Sequence, residues 1–366
     1  MFKGVNVLKT FFYIFKMIKR INSHKTVLEY IWIGGKGEIR SKTRVIHNFL
    51  PADLTHIPEW NYDGSSTWQA DSNRDTEIVL KPCQVYKNPL IALDNAECYL
   101  VLCDTYNSNG NPTSTNHRHL ANELFEKGEE YEPWFGLEQE YFMEIESKSI
   151  FDTNSCYYDD DDGLHYCGDS CDNIERKIAE EHMHACIKTG LQISGINSEV
   201  SNFQWEFQIG PCEGILAADE LIIARYLLQR IAEKYNVIIL YDPKPINTIN
   251  GSGCHINFST YRTRYPDSGI EEIHRCIKCL SEKHEDTIKV YGDDNDLRLT
   301  GFHETSSYDN FSWGVGTRNT SVRIPNHVIR EKCGYFEDRR PASNIDPYLA
   351  TSTLFNICYL QTEESI

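Results

Sequence analysis

The segment Gly136-Leu-Glu-Gln-Glu-Tyr-Phe142 constrains the fold more than any other part of the chain. Its apolar and aromatic surroundings predict a strand over Phe135–Ile145, and in a strand successive side chains alternate faces. Glu138 and Glu140 then share one face, with Leu137, Gln139 and Tyr141 on the other. Two like charges side by side repel unless a cation lies between them. A sheet that keeps both must leave that face in water or give it a cation.

The same arrangement recurs. In Gln204-Trp-Glu-Phe-Gln-Ile209, Glu206 and Gln208 lie opposite Trp205, Phe207 and Ile209, and Glu199 precedes Glu206 by seven residues. In Gly253-Cys-His-Ile-Asn-Phe-Ser259, His255, Asn257 and Ser259 point one way while Cys254, Ile256 and Phe258 point to a core. In Tyr335-Phe-Glu-Asp-Arg339, Glu337 and Arg339 share a face. One such acid is ordinarily a solvated or salt-bridged residue, and one such histidine a satisfied core residue. Five acids and one imidazole on short apolar strands form a ligand set, and its oxygen content favours Mg²⁺ or Mn²⁺ over zinc.

Arg298, Arg318, Arg323 and Arg339 fall within 42 residues. Guanidinium suits bidentate contacts to carboxylate and phosphate. With no G-x-x-x-x-G-K-[ST] motif, the combination points to nucleotide chemistry outside the P-loop class. Arg318 and Arg323 are five residues apart in an expected strand, Gly314–Ile324, so both reach one site only through a bulge or bend. Charge limits the partners: 36 Lys and Arg against 54 Asp and Glu give a net −18. That argues against non-specific nucleic-acid binding and against docking on anionic lipid.

The 13 cysteines are odd in number and scattered, unlike a secreted disulfide framework, so reduced intracellular thiols are expected. Cys276 and Cys279 lie in an expected helix, Ile270–Ile288, as two thiols near one helix face. Residues 1–25 form a basic segment with no acid before Glu29; a docking helix is expected there, with a mitochondrial presequence or membrane-surface segment as alternatives. Asn107–Thr115 reads as a linker. Further helices are expected at His117–Gly128, Lys177–Thr189 and Ala217–Tyr235. Strands are expected at Tyr30–Ile33, Tyr99–Cys103 and Val237–Leu240. The whole reads as a small β-rich N-terminal domain followed by a larger α/β or α+β one.

These stretches resemble the glutamine synthetase family of eukaryotic type. The resemblance rests on Glu59-Trp-Asn-Tyr-Asp-Gly-Ser-Ser-Thr67, Gly136–Tyr141, Gln204–Gly214, Asn250–Thr260, Arg298–Thr305 and Gly334–Pro347, which occur in family order and cover about residues 27 to 360. It implies an α+β fold: a β-grasp domain over 26–111, then a catalytic α/β domain over 112–366 whose curved antiparallel sheet holds the metal site. It implies ligation of ammonia to the γ-carboxylate of glutamate through γ-glutamyl phosphate, driven by ATP. It also implies two or three Mg²⁺ or Mn²⁺ ions per site, and a homodecamer of two pentameric rings with active sites between subunits.

Carried over by position, Glu140, Glu199 and Glu206 resemble ligands of one metal, and Glu138, His255 and Glu337 ligands of the second. Asn250, Gly251, Arg298 and Arg318 resemble glutamate contacts. Trp134, Glu206, Asn257, Ser259, Arg264, Arg323 and Tyr335 resemble ATP contacts. Arg339 would neutralise the moving phosphoryl group. Asp63, Tyr166 and Glu304 match the ammonium pocket, with Asp63 from the adjacent subunit as proton acceptor and Glu304 on a flap. The chain departs from the family at Tyr157-Tyr-Asp-Asp-Asp-Asp-Gly163, which supports Tyr166, and at Ser201-Asn-Phe203, Thr317 and Gly34. Two alternatives stand beside this reading: a non-catalytic structural relative and, motivated by the altered loop, a γ-glutamyl ligase using another amine. The cytoplasm is the expected location, the mitochondrion the alternative.

Overall fold

The computed structural model describes residues 24–51, 54–70, 75–145, 165–169, 173–303 and 305–361. Most of the basic N-terminal segment, the Tyr157–Gly163 loop and Glu304 lie outside them. The chain divides into two compact units, between Asn116 and His117. Residues after Asn111 stay with the first unit because Thr113 N donates to Thr105 O (3.0 Å) and Asn116 Nδ2 donates to the same carbonyl (3.0 Å).

The first unit is a five-stranded sheet of β1 (Lys25–Ile33), β2 (Ile39–His47), β3 (Trp60–Asp63), β4 (Glu77–Lys87) and β5 (Ala96–Asn107), in the order β2-β1-β5-β4-β3. The central pair β1–β5 is parallel and the remaining pairs are antiparallel. Strand β1, between β2 and β5, is buried along most of its length, and Leu28, Tyr30 and Trp32 pack with Ile57, Leu80, Val101 and Cys103. Edge strand β2 alternates exposed and half-buried residues, and its Lys42 lies 3.6 Å from the Trp60 ring centroid. Gly37, with φ of +78°, makes the turn that returns Ile39 beside Ile33.

In the second unit one curled sheet runs through β6 (Trp134–Ile145), β7 (Ile193–Ser198), β8 (Gln204–Glu213), β9 (Val237–Leu240), β10 (Cys254–Ser259), β11 (Trp313–Val315), β12 (Val322–Ile324) and β13 (Phe336–Asp338). The order is β11-β12-β13-β10-β6-β8-β7, with β9 also on β6. It is antiparallel except at the β11–β12 edge. Helices α1 (His117–Lys127), α2 (Asn173–Thr189), α3 (Leu216–Ala232), α4 (Gly269–Glu282) and α5 (Pro347–Phe355) accompany it.

The apolar faces of β6, β8 and β10 make the core: Leu137, Tyr141, Phe207, Ile209, Ile256 and Phe258 are fully buried. Each such side chain contributes about 1.5–3 kcal/mol by leaving water. Helix α3 is buried on nearly all sides. Its one fully buried carboxylate, Asp219, receives Arg118 through Nε (2.7 Å) and Nη2 (2.9 Å), and the Tyr348 hydroxyl (2.7 Å). Helix α5 starts at Pro347 because Asp346 Oδ1 accepts from the Tyr348 and Leu349 amides.

Two expected elements differ. Gly314–Ile324 is not one strand but β11 and β12 joined by a loop, since Gly316 takes φ of +63° and ends the extended run. Ile270–Ile288 is α4 plus a short helical turn, His284–Ile288, broken at Lys283. Cys276 is buried on α4 and Cys279 half-buried, and Arg275 Nη2 and Nη1 lie 3.7 and 3.8 Å from their respective sulfurs.

Candidate active site

Strand register assembles the polar face. Across the ladder Glu138 of β6 faces His255 of β10 on one side and Gln208 of β8 on the other. One row further along, Glu140 faces Glu206, which in turn faces Asn197 of β7. Glu337 of β13 faces Asn257 of β10 and Arg323 of β12. Because paired residues in register share a face, six strands deliver these side chains to one surface.

Two groups result. In the first, Glu138, His255 and Glu337 each offer a ligand atom, all within 4.8 Å of one another. His255 Nδ1 lies 3.6 Å from Glu138 Oε2 and 3.5 Å from Glu337 Oε1. Arg298 Nη2 lies 3.1 Å from His255 Nε2. Burial, and then the Arg339 cation, pushes the His255 imidazole well below its usual range and keeps it neutral, against the pull of Glu337.

The second group is Glu140, Glu199 and Glu206. Glu140 is buried and accepts from Gly253 N (2.6 Å) and Gln204 Nε2 (3.3 Å). Glu199 accepts from Asn197 Nδ2 (3.0 Å), and Glu206 accepts from Gln208 Nε2. Burial raises the carboxyls of Glu140 and Glu206 above the normal range. Glu199 adds to the rise of Glu140; Glu138, Glu140 and Glu199 add to that of Glu206. Carboxylates gathered against both desolvation and mutual repulsion are a receptor for a cation.

Both groups open into one cavity of about 150 Å³. Arg298, Arg318, Arg323 and Arg339 line it, with Asn250, Gly251 and Tyr166. Arg339 Nη1 donates to Glu337 Oε1 (2.7 Å), and Arg323 Nε forms an ion pair with Glu337 Oε2. The split of the expected 314–324 strand is the bend that brings Arg318 and Arg323 to the same cavity. Arg298 is buried, and burial lowers its guanidinium to about 10, partly offset by Glu140. Gly251 fits only as glycine: an added Cβ would stand 2.6 Å from Pro243 O and 2.8 Å from Arg298 Cγ.

A second cavity of about 410 Å³ shares Glu138 with the first as lining, and its surface is mostly apolar. Trp134, Asn257, Ser259, Arg264 and Tyr335 line it. Arg264 Nη1 donates to Ser259 Oγ (3.0 Å), and its guanidinium lies 4.1 Å from the Trp134 ring centroid. Of the expected ATP contacts, Glu206 and Arg323 line the first cavity instead.

Asp63 lies in the other unit, at an exposed strand end. It caps the following turn, accepting from Ser65 N (3.0 Å) and Ser65 Oγ (2.7 Å), and these bonds hold its carboxyl below the usual range.

Sequence reading missed Asn197, Gln204 and Gly253. Gly253 carries the amide that holds Glu140, and a Cβ there would lie 2.5 Å from Arg298 Nη2 and 2.8 Å from His255 Nε2. Asn197 sits on a strand that periodicity does not reveal. Gln208, grouped with Glu206 by alternation, ties the second group to β7: its Nε2 donates to both Glu206 and Asn197.

Comparison with known proteins gives one consistent result. Residues 114–266 match the model of the family described as glutamine synthetase, catalytic domain. A chain from Acanthamoeba polyphaga mimivirus is 50% identical over 333 residues, 90% of this chain and 93% of the relative. The glutamine synthetase of Candida glabrata is 45% identical over 341 residues, 93% of this chain and 90% of its own. That of Saccharomyces cerevisiae is 46% identical over 332 residues, 90% of this chain and 88% of its own.

Proposed function

Because this chain belongs to the glutamine synthetase family, we propose how its residues carry out that family's reaction, the ATP-dependent synthesis of glutamine from glutamate and ammonia. The reading rests above all on one observation: two carboxylate groups share an arginine-lined cavity that adjoins a mostly apolar one.

The carboxylate sets fit divalent ions. The donors are hard oxygens and one neutral imidazole, and the buried Glu140–Glu206 repulsion is the kind a dication relieves. We assign Glu140, Glu199 and Glu206 to one ion and Glu138, His255 and Glu337 to a second, Mg²⁺ or Mn²⁺. When bound, such ions supply Lewis-acid neutralisation of phosphate charge.

The remaining steps belong to side chains. The apolar cavity receives the adenosine part of ATP against Trp134, Ser259, Arg264 and Tyr335, with Asn257 at its inner edge and Arg323 toward the phosphates. Arg298, Arg318, Asn250 and Gly251 hold glutamate. A carboxylate is a poor acyl donor because its leaving group would be oxide; transfer of the γ-phosphoryl group gives γ-glutamyl phosphate, with phosphate as leaving group. Arg339, already 2.7 Å from Glu337, stabilises the charge on the transferred group. Tyr166 and Glu304 form the ammonium pocket, with Asp63 of the partner subunit. The Ser65 bonds keep Asp63 ionised to draw ammonium and accept its proton. In this reading the active sites lie between subunits of a decamer.

Among the described residues no helix is long and apolar enough to cross a membrane, and no disulfide joins the described cysteines. We propose a cytoplasmic location on the odd number and scattered spacing of the cysteines. A mitochondrial location for the basic N-terminal segment is tested by imaging fusions with and without residues 1–25.

The functional test uses the purified full chain with ATP, glutamate and Mg²⁺, offered ammonium or primary amines, with phosphate and products quantified. Equal glutamine and phosphate, dependent on ammonium, are expected. A γ-glutamyl amide formed only with another amine, or no turnover, would overturn the reading.

A further inference from the structure

His165 stands at the point where a short segment meets the end of β7, and its imidazole is used twice. A backbone carbonyl can only accept, so Nδ1 donates to Glu199 O, at 2.6 Å. On the other side of the ring, Nε2 lies 3.4 Å from Glu175 Oε2. Glu175 is itself buried and receives Trp205 Nε1 (3.2 Å), so it is held from the core face of β8.

The backbone repeats the tie. Ser198 Oγ donates to His165 O (2.7 Å), Cys167 N donates to Ser198 O (3.1 Å), and Gly168 N closes the turn onto His165 O (2.9 Å). Arg176 Nη2 donates to Gly168 O (2.6 Å). Between these anchors, Tyr166 reaches the cavity, its ring 5.8 Å from the Arg318 guanidinium. Glu199 lines the same cavity, one residue beyond Ser198.

We infer that His165 is a positioning residue for the ammonium side of the site: its Nδ1 bond to Glu199 O fixes the segment carrying Tyr166 against the segment carrying Glu199. The inference rests on the reading of Tyr166 and Glu199 given above. His165 touches no substrate in this account. It sets the separation of Tyr166, assigned to the ammonium pocket, from Glu199, assigned to an ion, and Glu175 orients its ring as an outer carboxylate orients a ligand histidine.

Two isosteric replacements test the inference. Asn places its amide nitrogen where Nδ1 lies, and Gln places its own where Nε2 lies. In the full-length protein, His165→Gln is expected to raise KM for ammonium about tenfold or more, while KM for glutamate and for ATP stays within about twofold. His165→Asn is expected to restore ammonium KM to near the wild-type value. Ser198→Ala, which removes one hydroxyl from the same tie, is expected to raise it about fivefold. It keeps the test open should an imidazole replacement fail to fold. Equal behaviour of Asn and Gln, or a parallel rise in all three KM values, would overturn the inference, as would an unchanged ammonium KM in Ser198→Ala. Failure of the wild-type chain to make glutamine is a different result and would refute the functional reading instead.

Discussion

Glu140 of β6 and Glu206 of β8 stand directly opposite each other in the ladder, both buried and both carboxylic. A sheet built only for stability would not pair them. Glu206→Gln should therefore stabilise the ion-free protein, by up to about 1 kcal/mol, the range of a cross-strand pair. The same change should reduce the added stability that Mg²⁺ or Mn²⁺ confers by binding the folded state. Urea unfolding with chelator and with excess ion reads both. A variant less stable without ion, or one keeping the full response to ion, would contradict the pairing argument.

Gly253→Ala puts a methyl group 2.5 Å from Arg298 Nη2. Arg298 is pinned to the carbonyls of Arg339 (3.1 Å) and Arg340 (3.2 Å), so its head group must leave those bonds to make room. A displacement of about 1 Å at a positioning group costs on the order of 10²-fold in rate. Glutamate-dependent kcat/KM should fall by that order while ATP KM changes little. An unaffected glutamate kcat/KM would show that Arg298 does not hold the substrate.

Behind Glu337 and Arg339, the side chains of Asp338 and Arg340 form a fully buried ion pair, with Nη2 2.6 Å and Nε 2.9 Å from the carboxylate. Arg340 also reaches Thr287 Oγ1 (2.8 Å), and Tyr291 donates to Asp338 (3.0 Å). Asp338→Ala leaves a buried guanidinium with no counter-charge. The expected loss is about 3–5 kcal/mol in urea unfolding. A loss below about 1 kcal/mol, the scale of exposed pairs, would mean that water reaches Arg340.

His117, at the start of α1, lies 2.7 Å through Nδ1 from Asp346, the residue that caps α5. The Asp346 hydrogen bond raises the imidazole above its usual range, overcoming burial. A histidine raised in the folded state stabilises most below its unfolded value near 6.5, and the gain fades as pH climbs through the raised value. Wild type should exceed His117→Gln by roughly 1 kcal/mol at pH 5.5, with the gap closing by about pH 8.5. A constant gap over that range would assign the contribution to packing instead.

Much of the site was legible because alternation is a strong local rule. The faces of Glu138, Glu140, Glu206, His255 and Glu337 follow from period two alone, and register then joins them. What a strand pairs with is not local, so Asn197 had no signal, whereas Gln204, two residues before Glu206, shares its face by the same alternation. Strand β4 escaped because Pro82 interrupts its run, and β2 because Arg40, Lys42 and Arg44 occupy one of its faces. Helix α5 is mostly buried and carries no charged residue, its Thr351, Ser352 and Thr353 sitting among apolar ones, so it shows no stripe; Asp346-Pro347 was its available signal. The Gly314–Ile324 run has strand composition, and only Gly316 in the left-handed region reveals its break.

The measurement closest to the central claim is calorimetric Mn²⁺ titration of wild type and Glu337→Ala, paired with glutamine formation by each. Glu337 is one of three side chains whose ligand atoms lie within 4.8 Å of one another, and the only one on β13. The account predicts that Glu337→Ala binds one fewer ion per chain and loses glutamine synthesis by at least about 10²-fold. Unchanged ion stoichiometry with near-normal synthesis would contradict it.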